Sequence, residues 1–211
     1  MPPETSMKRC PWVPLDKPLY VSYHDEEWGV PVHDDQALFA KLCLDGAQAG
    51  LTWWTILQRR ENYYRAFDGF DPQKIARYDE DKIGSLLQDS GIIRNRLKVR
   101  SVVQNALGYL TIMERKGSFG SWLWSFVDGA PVANAPRALA DYAATNPQAE
   151  AMSKGLRSYG FSFVGPTIVY AFMQAVGMVN DHSADCFRRL LVQLGANRSG
   201  VSRLLPKRPT A

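Results

Sequence analysis

Cysteine is scarce in this chain: three residues, at positions 10, 43 and 186, among 211. An odd number of widely spaced cysteines argues against a disulfide framework and for a reducing, cytoplasmic setting. No apolar run approaches the roughly 18 residues that a membrane span requires. Met1–Ser6 has no apolar h-region, so no secretory signal is expected. Repeats and low-complexity tracts are absent, and no stretch alternates apolar and polar residues long enough to argue for a sheet. Acid is missing from the C-terminal end, where Arg188, Arg189, Arg198, Arg203, Lys207 and Arg208 stand without a carboxylate. Removing those six from the 25 basic residues leaves 19 against 21 acidic ones, so the net charge of +4 becomes −2 for the rest. Overall charge therefore does not mark a nucleic-acid binder, and any such contact must rest on a local patch.

What is present is helical periodicity, and with 45% hydrophobic residues the chain can bury a core. Asp34 or Asp35 can cap a helix whose apolar positions Leu38, Phe39, Leu42 and Cys43 recur at helical spacing. A second amphipathic run covers about 51–67. Asp71-Pro72 reads as an N-cap followed by proline at the first helical position. Asp79 starts a helix that Gly91 is placed to end. A long helix fills 95–115, with Leu97, Val99, Val102, Val103, Ala106, Leu107 and Leu110 expected inward, and short helices follow near 119–127 and 136–144. The expectation is an all-α fold: one domain over 1–194, with room for two lobes, and a mobile basic tail over 195–211.

The segment after the polar helix 148–158 is Tyr159-Gly160-Phe161-Ser162-Phe163-Val164-Gly165, and a second helix, 166–176, opens on proline. A glycine-bounded turn between two helices leaves free N–H groups and the positive end of a dipole at the second helix, a seat for one phosphate. That is the plan of a helix-hairpin-helix unit; an ordinary helical hairpin is the plainer alternative. Arg94, Arg96, Lys98 and Arg100 could touch phosphate or could simply line a solvated helix face.

His182 and Cys186 are four residues apart, which on a helix puts them on one face. Cys10 and His24 offer two further ligands, completing a Cys₂His₂ set suited to zinc and closed to water, hence structural. It would tie residues 10–30 to the C-terminal helix. Buried thiols with satisfied histidines, or a Cys10–Cys186 disulfide, are the alternatives, and His33 and Cys43, without partners at ligand spacing, read as structural. Trp12, Tyr20, Tyr23 and Trp28 crowd the same segment at spacings that fit neither helix nor strand. They suit either a stacking box or an arm packed on the domain. Asp45, in the segment joining the first two helices, could bring a carboxylate beside Trp53, or be only a turn residue before Gly46.

These strings resemble one family. Arg9-Cys10-Pro11-Trp12, Tyr23-His24-Asp25-Glu26-Glu27-Trp28-Gly29-Val30-Pro31, Gln48-Ala49-Gly50-Leu51-Thr52-Trp53, Arg60-Glu61-Asn62-Tyr63, Gly91-Ile92-Ile93-Arg94, Trp124-Ser125-Phe126-Val127, Phe161-Ser162-Phe163-Val164-Gly165 and Val179-Asn180-Asp181-His182 occur in order. They resemble the bacterial 3-methyladenine DNA glycosylase I (Tag) family of the helix-hairpin-helix superfamily, over roughly 9–189. The resemblance implies one structural zinc per chain on Cys10, His24, His182 and Cys186. It implies a base pocket on Trp12, Tyr20, Tyr23, Trp28, Asp45 and Trp53, and phosphate contacts on Phe163, Val164, Gly165 and Thr167. Position 45 departs from the family pattern: aspartate stands where the best-known members carry glutamate, one methylene longer.

The function so implied is hydrolytic release of 3-methyladenine from alkylated double-stranded DNA by a monomer with no membrane partner. Asp45 would recognise the base, and Asp181 is the residue nearest to the superfamily's catalytic aspartate, although beside His182 it could equally orient a ligand. A DNA-damage-binding protein that no longer cuts is the competing reading. A zinc hydrolase fits less well, because four protein ligands leave no open position.

Overall fold

The computed structural model describes residues 7–194, so the tail expected over 195–211 lies outside the described residues. In chain order the helices are α1 (Pro18–Glu26), α2 (Asp35–Gln48), α3 (Trp53–Leu57), α4 (Arg60–Ala66), α5 (Pro72–Ile75), α6 (Glu80–Leu86), α7 (Arg96–Lys116) and α8 (Phe119–Trp124). Strand β1 (Val132–Ala133), α9 (Pro147–Ser158), α10 (Pro166–Ala175), strand β2 (Val179–Asn180) and α11 (Phe187–Gln193) follow. Most helices begin where a short polar side chain meets the first turn. Asp34 accepts from the Ala37 N–H, Asp79 from Lys82, Asn95 from Lys98, Ser118 from Ser121 and Asn146 from Ala149. Asp71 takes the N–H groups of Gln73 and Lys74 ahead of Pro72. Each such cap is worth about 0.5–2 kcal/mol.

Several expectations need correction. The run over 51–67 is two helices, because the Arg59 guanidinium donates to the Thr55 carbonyl (3.3 Å) and the Arg59 N–H turns back to Ile56. α6 ends at Leu86, well short of Gly91, whose N–H is held instead by Asp89 Oδ1 at 2.7 Å. The buried stripe of α7 is Val99, Val102, Ala106, Tyr109 and Ile112, joined by Ser101 and Asn105, whereas Leu97 and Leu107 are exposed. Polar residues on the inner face had tilted the apparent apolar stripe. Over 136–144 there is one turn of 3₁₀ helix, Leu139–Asp141, closed by Asp141 accepting from the N–H groups of Arg137 and Ala138. β1 and β2 pair in parallel, Val132 with Val179 and Ala133 with Asn180, a ladder too short to leave alternation in the sequence.

The described residues divide into two units. Among the described residues the first takes in 7–31, the segment Pro131–Ala143 and 174–194; it holds α1, both strands and α11. The second, Val32–Ala130 with Ala144–Met173, holds α2–α9 and most of α10. Its core gathers Leu38, Phe39, Leu42, Ile56, Phe70, Ile75, Ile112, Phe119 and Leu123, all fully buried. Each such side chain contributes roughly 1.5–3 kcal/mol.

Within the second unit, α9 and α10 form the hairpin. α9 ends in a Schellman turn: the Gly160 N–H bonds Arg157 O (2.9 Å), the Phe161 N–H bonds Leu156 O (3.1 Å), and Gly160 takes the left-handed φ of +83° this turn needs. Asn105 of α7 then grips the loop from both sides, accepting from the Ser162 N–H (2.8 Å) and donating to Ser162 O (3.2 Å). Ser153 Oγ donates to Val164 O at 2.6 Å, and Phe163 is held at a positive φ of 56°.

Candidate functional site

In the first unit, Cys10, His24, His182 and Cys186 converge with their ligand atoms all within 4.8 Å of one another, every residue buried. His182 Nδ1 lies 3.5 Å from Cys10 Sγ and 3.6 Å from Cys186 Sγ, and His24 Nε2 lies 3.5 Å from Cys186 Sγ. A tetrahedral ion with Zn–S of about 2.3 Å and Zn–N of about 2.0–2.1 Å sets its sulfur and nitrogen ligands about 3.6 Å apart. The donor set therefore fits a metal of that kind. The hydrogen bonds behind it agree: His182 Nε2–H donates to Trp28 O (3.1 Å), and His24 Nδ1–H donates to Asp25 Oδ1 (2.7 Å). Each imidazole is thereby left with its lone pair on the nitrogen that faces the thiols. Asp25 is clamped in turn by the Arg9 guanidinium at 2.7–3.0 Å.

All three cysteines are free thiols, so the disulfide alternative falls away. Contact with Cys186, and after it hydrogen bonds from His182 and His24, holds the Cys10 thiol far below the ordinary thiol range; Cys186, sharing the remaining proton, is pushed up. The Ser183 N–H also donates to Cys10 Sγ at 3.3 Å.

Two sequence expectations are corrected here. His182 and Cys186 are not on a helix: they flank a turn in which the Cys186 N–H bonds Ser183 O, and Cys186 is the N-cap of α11. Nor is the aromatic segment irregular throughout, since Tyr20, Tyr23 and His24 lie on α1. Trp12 meets Trp28 edge-on at 4.7 Å, His24 at 5.3 Å and Tyr20 at 5.9 Å, and Trp28 packs on His182 at 4.7 Å. These rings thus wall the Cys/His cluster. Tyr23 and Trp28 are buried, while Trp12 and Tyr20 keep part of their surface exposed.

In the second unit, Asp45 lies inside α2 rather than in the link after it, and is 1% exposed. The Lys41 ammonium, one turn earlier, donates to Asp45 Oδ1 and stands 4.1 Å from the centre of the Trp53 ring. Asp45 Oδ2 is buried and has no hydrogen-bond partner among the described residues. Burial pushes the Asp45 pKa up, against the pull of Lys41. Such an orphaned acceptor costs roughly 1–3 kcal/mol, a cost that a donor from outside the chain, water or ligand, would relieve.

The profile of the family described as methyladenine glycosylase matches residues 12–189. The chain belongs to that family. DNA-3-methyladenine glycosylase 1 of Escherichia coli (strain K12) is 46% identical over 180 residues, covering 85% of this chain and 96% of its own. A crystal structure of 3-methyladenine DNA glycosylase I (TAG) matches with a TM-score of 0.82 and 48% identity over 85% of this chain and 98% of that one. A further crystal structure, of a single-residue variant of 3-methyladenine DNA glycosylase I in complex with 3-methyladenine, matches with a TM-score of 0.80 and 38% identity. It covers 82% of this chain and 93% of that one. The all-α fold expected from the sequence is the methyladenine glycosylase fold.

Against that family background, the remaining candidates sort by what they touch. Asp181 is buried and accepts from Asn134 Nδ2 (2.7 Å) and Gln174 Nε2 (2.6 Å). Lys98 is not available to phosphate: its ammonium donates to the carbonyls of Ala47 (2.8 Å) and Ala49 (2.7 Å), closing the end of α2. Arg100 and Arg96 pair with Glu80 at 2.6 and 3.7 Å. His33 stacks on Trp124 at 4.5 Å, and Cys43 is buried in α2, in keeping with structural roles. The reading of the sequence missed Lys41, Arg9 and Asp25. Lys41 could have been found from its i,i+4 spacing to Asp45, and Asp25 from its place beside His24.

Proposed function

We propose that this protein releases 3-methyladenine from alkylated double-stranded DNA by hydrolysis of the N-glycosidic bond, acting as a monomer in the cytoplasm. The observation that carries the reading is the buried Oδ2 of Asp45, unpartnered among the described residues, on a carboxylate whose Lys41 partner lies over the Trp53 ring. Methylation at N3 leaves the adenine of the nucleotide positively charged, so it departs as a neutral base and no strong general acid is needed. The protein's work is to extract and select the base. Flipping takes a few kcal/mol, less for a damaged base. Stacking on an aromatic face such as that of Trp53, the ring that Lys41 meets beside Asp45, supplies roughly 1–3 kcal/mol per base. Asp45 Oδ2 accepts an N–H of the base, and that bond relieves the acceptor's desolvation only when the right donor arrives.

The hairpin residues Phe163, Val164, Gly165 and Thr167 hold a DNA phosphate at the start of α10, where free N–H groups and the helix dipole favour an anion. Asp181, held in place by the side-chain amides of Asn134 and Gln174, assists the sugar cation. Cys10, His24, His182 and Cys186 would hold one zinc ion per chain. With four protein ligands that ion supplies a cross-link between distant segments and takes no part in the reaction. Free thiols as ligands suit a reducing compartment. No helix among the described residues is long and apolar enough to cross a membrane.

The experiment is chromatography of the bases freed from methylated DNA, with 3-methylguanine and 7-methylguanine followed alongside 3-methyladenine. Wild-type protein should release 3-methyladenine, and Asp45→Asn should release it at least about tenfold more slowly, the loss of roughly one charged hydrogen bond. DNA binding without release would support the non-cutting alternative. Unimpaired release by Asp45→Asn would remove Asp45 from the site.

A further inference from the structure

Lys41 and Asp45 form an ion pair that helix stability does not explain. The lysine precedes the acid, the less favourable order for an i,i+4 pair, and Asp45 sits in the last turn of α2, near the negative end of the helix dipole. The Asp45 side chain is only 2% exposed and that of Lys41 17%, and desolvation offsets most of what a pair so buried gains. The ammonium also covers one face of the Trp53 ring. The arrangement places a donor on one carboxylate oxygen and leaves the other without a partner among the described residues.

We propose that Lys41 is a positioning residue that sets base specificity: by engaging Oδ1 of Asp45 and lying on Trp53, it compensates the buried carboxylate and leaves Oδ2 as the single acceptor for the base. The inference rests on the role given to Asp45 above. A carboxylate with both oxygens open can take two parallel N–H donors; with Lys41 on Oδ1, this one meets the base through Oδ2. The ligand class is therefore a purine with an exocyclic amino group, selected by one N–H and by stacking. With its charge balanced by Lys41, the site relies less on the positive charge of the base than a lone carboxylate would.

The pair also governs when the acceptor is competent. Lys41 is the charge acting on Asp45. The Cys43 thiol on the same helix is the other titratable group beside it. Trp53 on α3 and Phe163 of the hairpin loop, next to Gly46, carry no charge. On α7, Asn105 is neutral and Lys98 is held by the Ala47 and Ala49 carbonyls. The charge-assisted hydrogen bond to the base needs the ionised carboxylate, so tight binding is present above the Asp45 pKa and weakens as pH falls through it. Removing Lys41 leaves burial unopposed and moves that loss to higher pH, by about 1–3 units for an opposite charge at this range.

The test is binding of free 3-methyladenine, followed by tryptophan fluorescence across roughly pH 5–9, for the full-length wild type, Lys41→Met, Lys41→Arg and Asp45→Asn. The base's own titration is common to all four proteins. The expected result is an acid limb shifted upward by at least about one pH unit in Lys41→Met, restored in Lys41→Arg, and weak binding without that limb in Asp45→Asn. If Lys41→Met fails to fold, Lys41→Gln, which keeps a donor but no charge, must show the same shift. A Lys41→Met or Lys41→Gln profile that overlays the wild type while Asp45→Asn loses binding overturns the role of Lys41 and leaves that of Asp45 standing. Asp45→Asn binding like the wild type overturns the reading of the site itself.

Discussion

Substitution of Gly29 by alanine tests the packing of the Cys/His cluster most directly. Gly29 has a φ of +81°, and a Cβ there would stand 2.8 Å from His182 Nε2 and 3.1 Å from Cδ2 of the same ring. The left-handed conformation costs a non-glycine residue roughly 1–2 kcal/mol. The clash must also push the imidazole away, and the hydrogen bond from Nε2–H to Trp28 O goes with it, about another 1 kcal/mol. Moving His182 displaces its Nδ1 from two thiols that now lie 3.5 and 3.6 Å away. The sum is about 2–3 kcal/mol, or a melting temperature lower by roughly 4–12 °C for a protein of this size.

Gly69→Ala is the control, since Gly69 has a φ of +68° and a methyl group added there would meet nothing within 4 Å. It should bear the backbone term alone, about 1–2 kcal/mol. The assay is a thermal melt of both variants together with metal analysis of the purified proteins. Gly29→Ala should melt well below Gly69→Ala and carry less metal. If the two variants melt together and both retain a full complement of metal, His182 is not held against Gly29 as described.

Two further outcomes follow from the same contacts. Under the proposed zinc site, Cys186→Ser removes a ligand that serine replaces poorly, and should empty the site and lower stability by more than about 4 kcal/mol, as loss of a structural metal does; unchanged metal content and melting temperature would refute the structural role. Asn105→Ala leaves the Ser162 N–H and carbonyl without the side chain that grips them, and should lower the midpoint of urea unfolding by the equivalent of about 1–3 kcal/mol. It should also weaken DNA binding through the loosened hairpin, and unaltered affinity in a gel-shift titration would separate that loop from phosphate binding.

Much of this molecule could be read from local chemistry. Asp34, Asp71, Asp79 and Asn95 announce helix starts because a short polar side chain before an apolar period satisfies N–H groups a few residues on, a relation contained within one turn. Cys10, His24, His182 and Cys186 were legible because so few residues can ligate zinc that their types alone narrow the choice. Local patterning failed where a neighbour far along the chain decides. The pair His182 and Cys186 has helical spacing but sits on a turn, because the Cys186 N–H bonds Ser183 and the Lys8 carbonyl takes the Phe187 N–H. Lys98 reads as one more cation in a basic run, yet the carbonyls at the end of α2 claim it.

Residue types and local pattern sufficed for the helical class, most of the capped helix starts, the family and the four residue types able to hold a metal. Long-range packing was needed to bury Asp45 within a helix, to give one of its oxygens to Lys41 and the other to no donor among the described residues, and to turn one particular nitrogen of each histidine toward the thiols. Burial and hydrogen-bond allocation are properties of the folded neighbourhood: an acceptor is left open only once every other donor around it has been assigned.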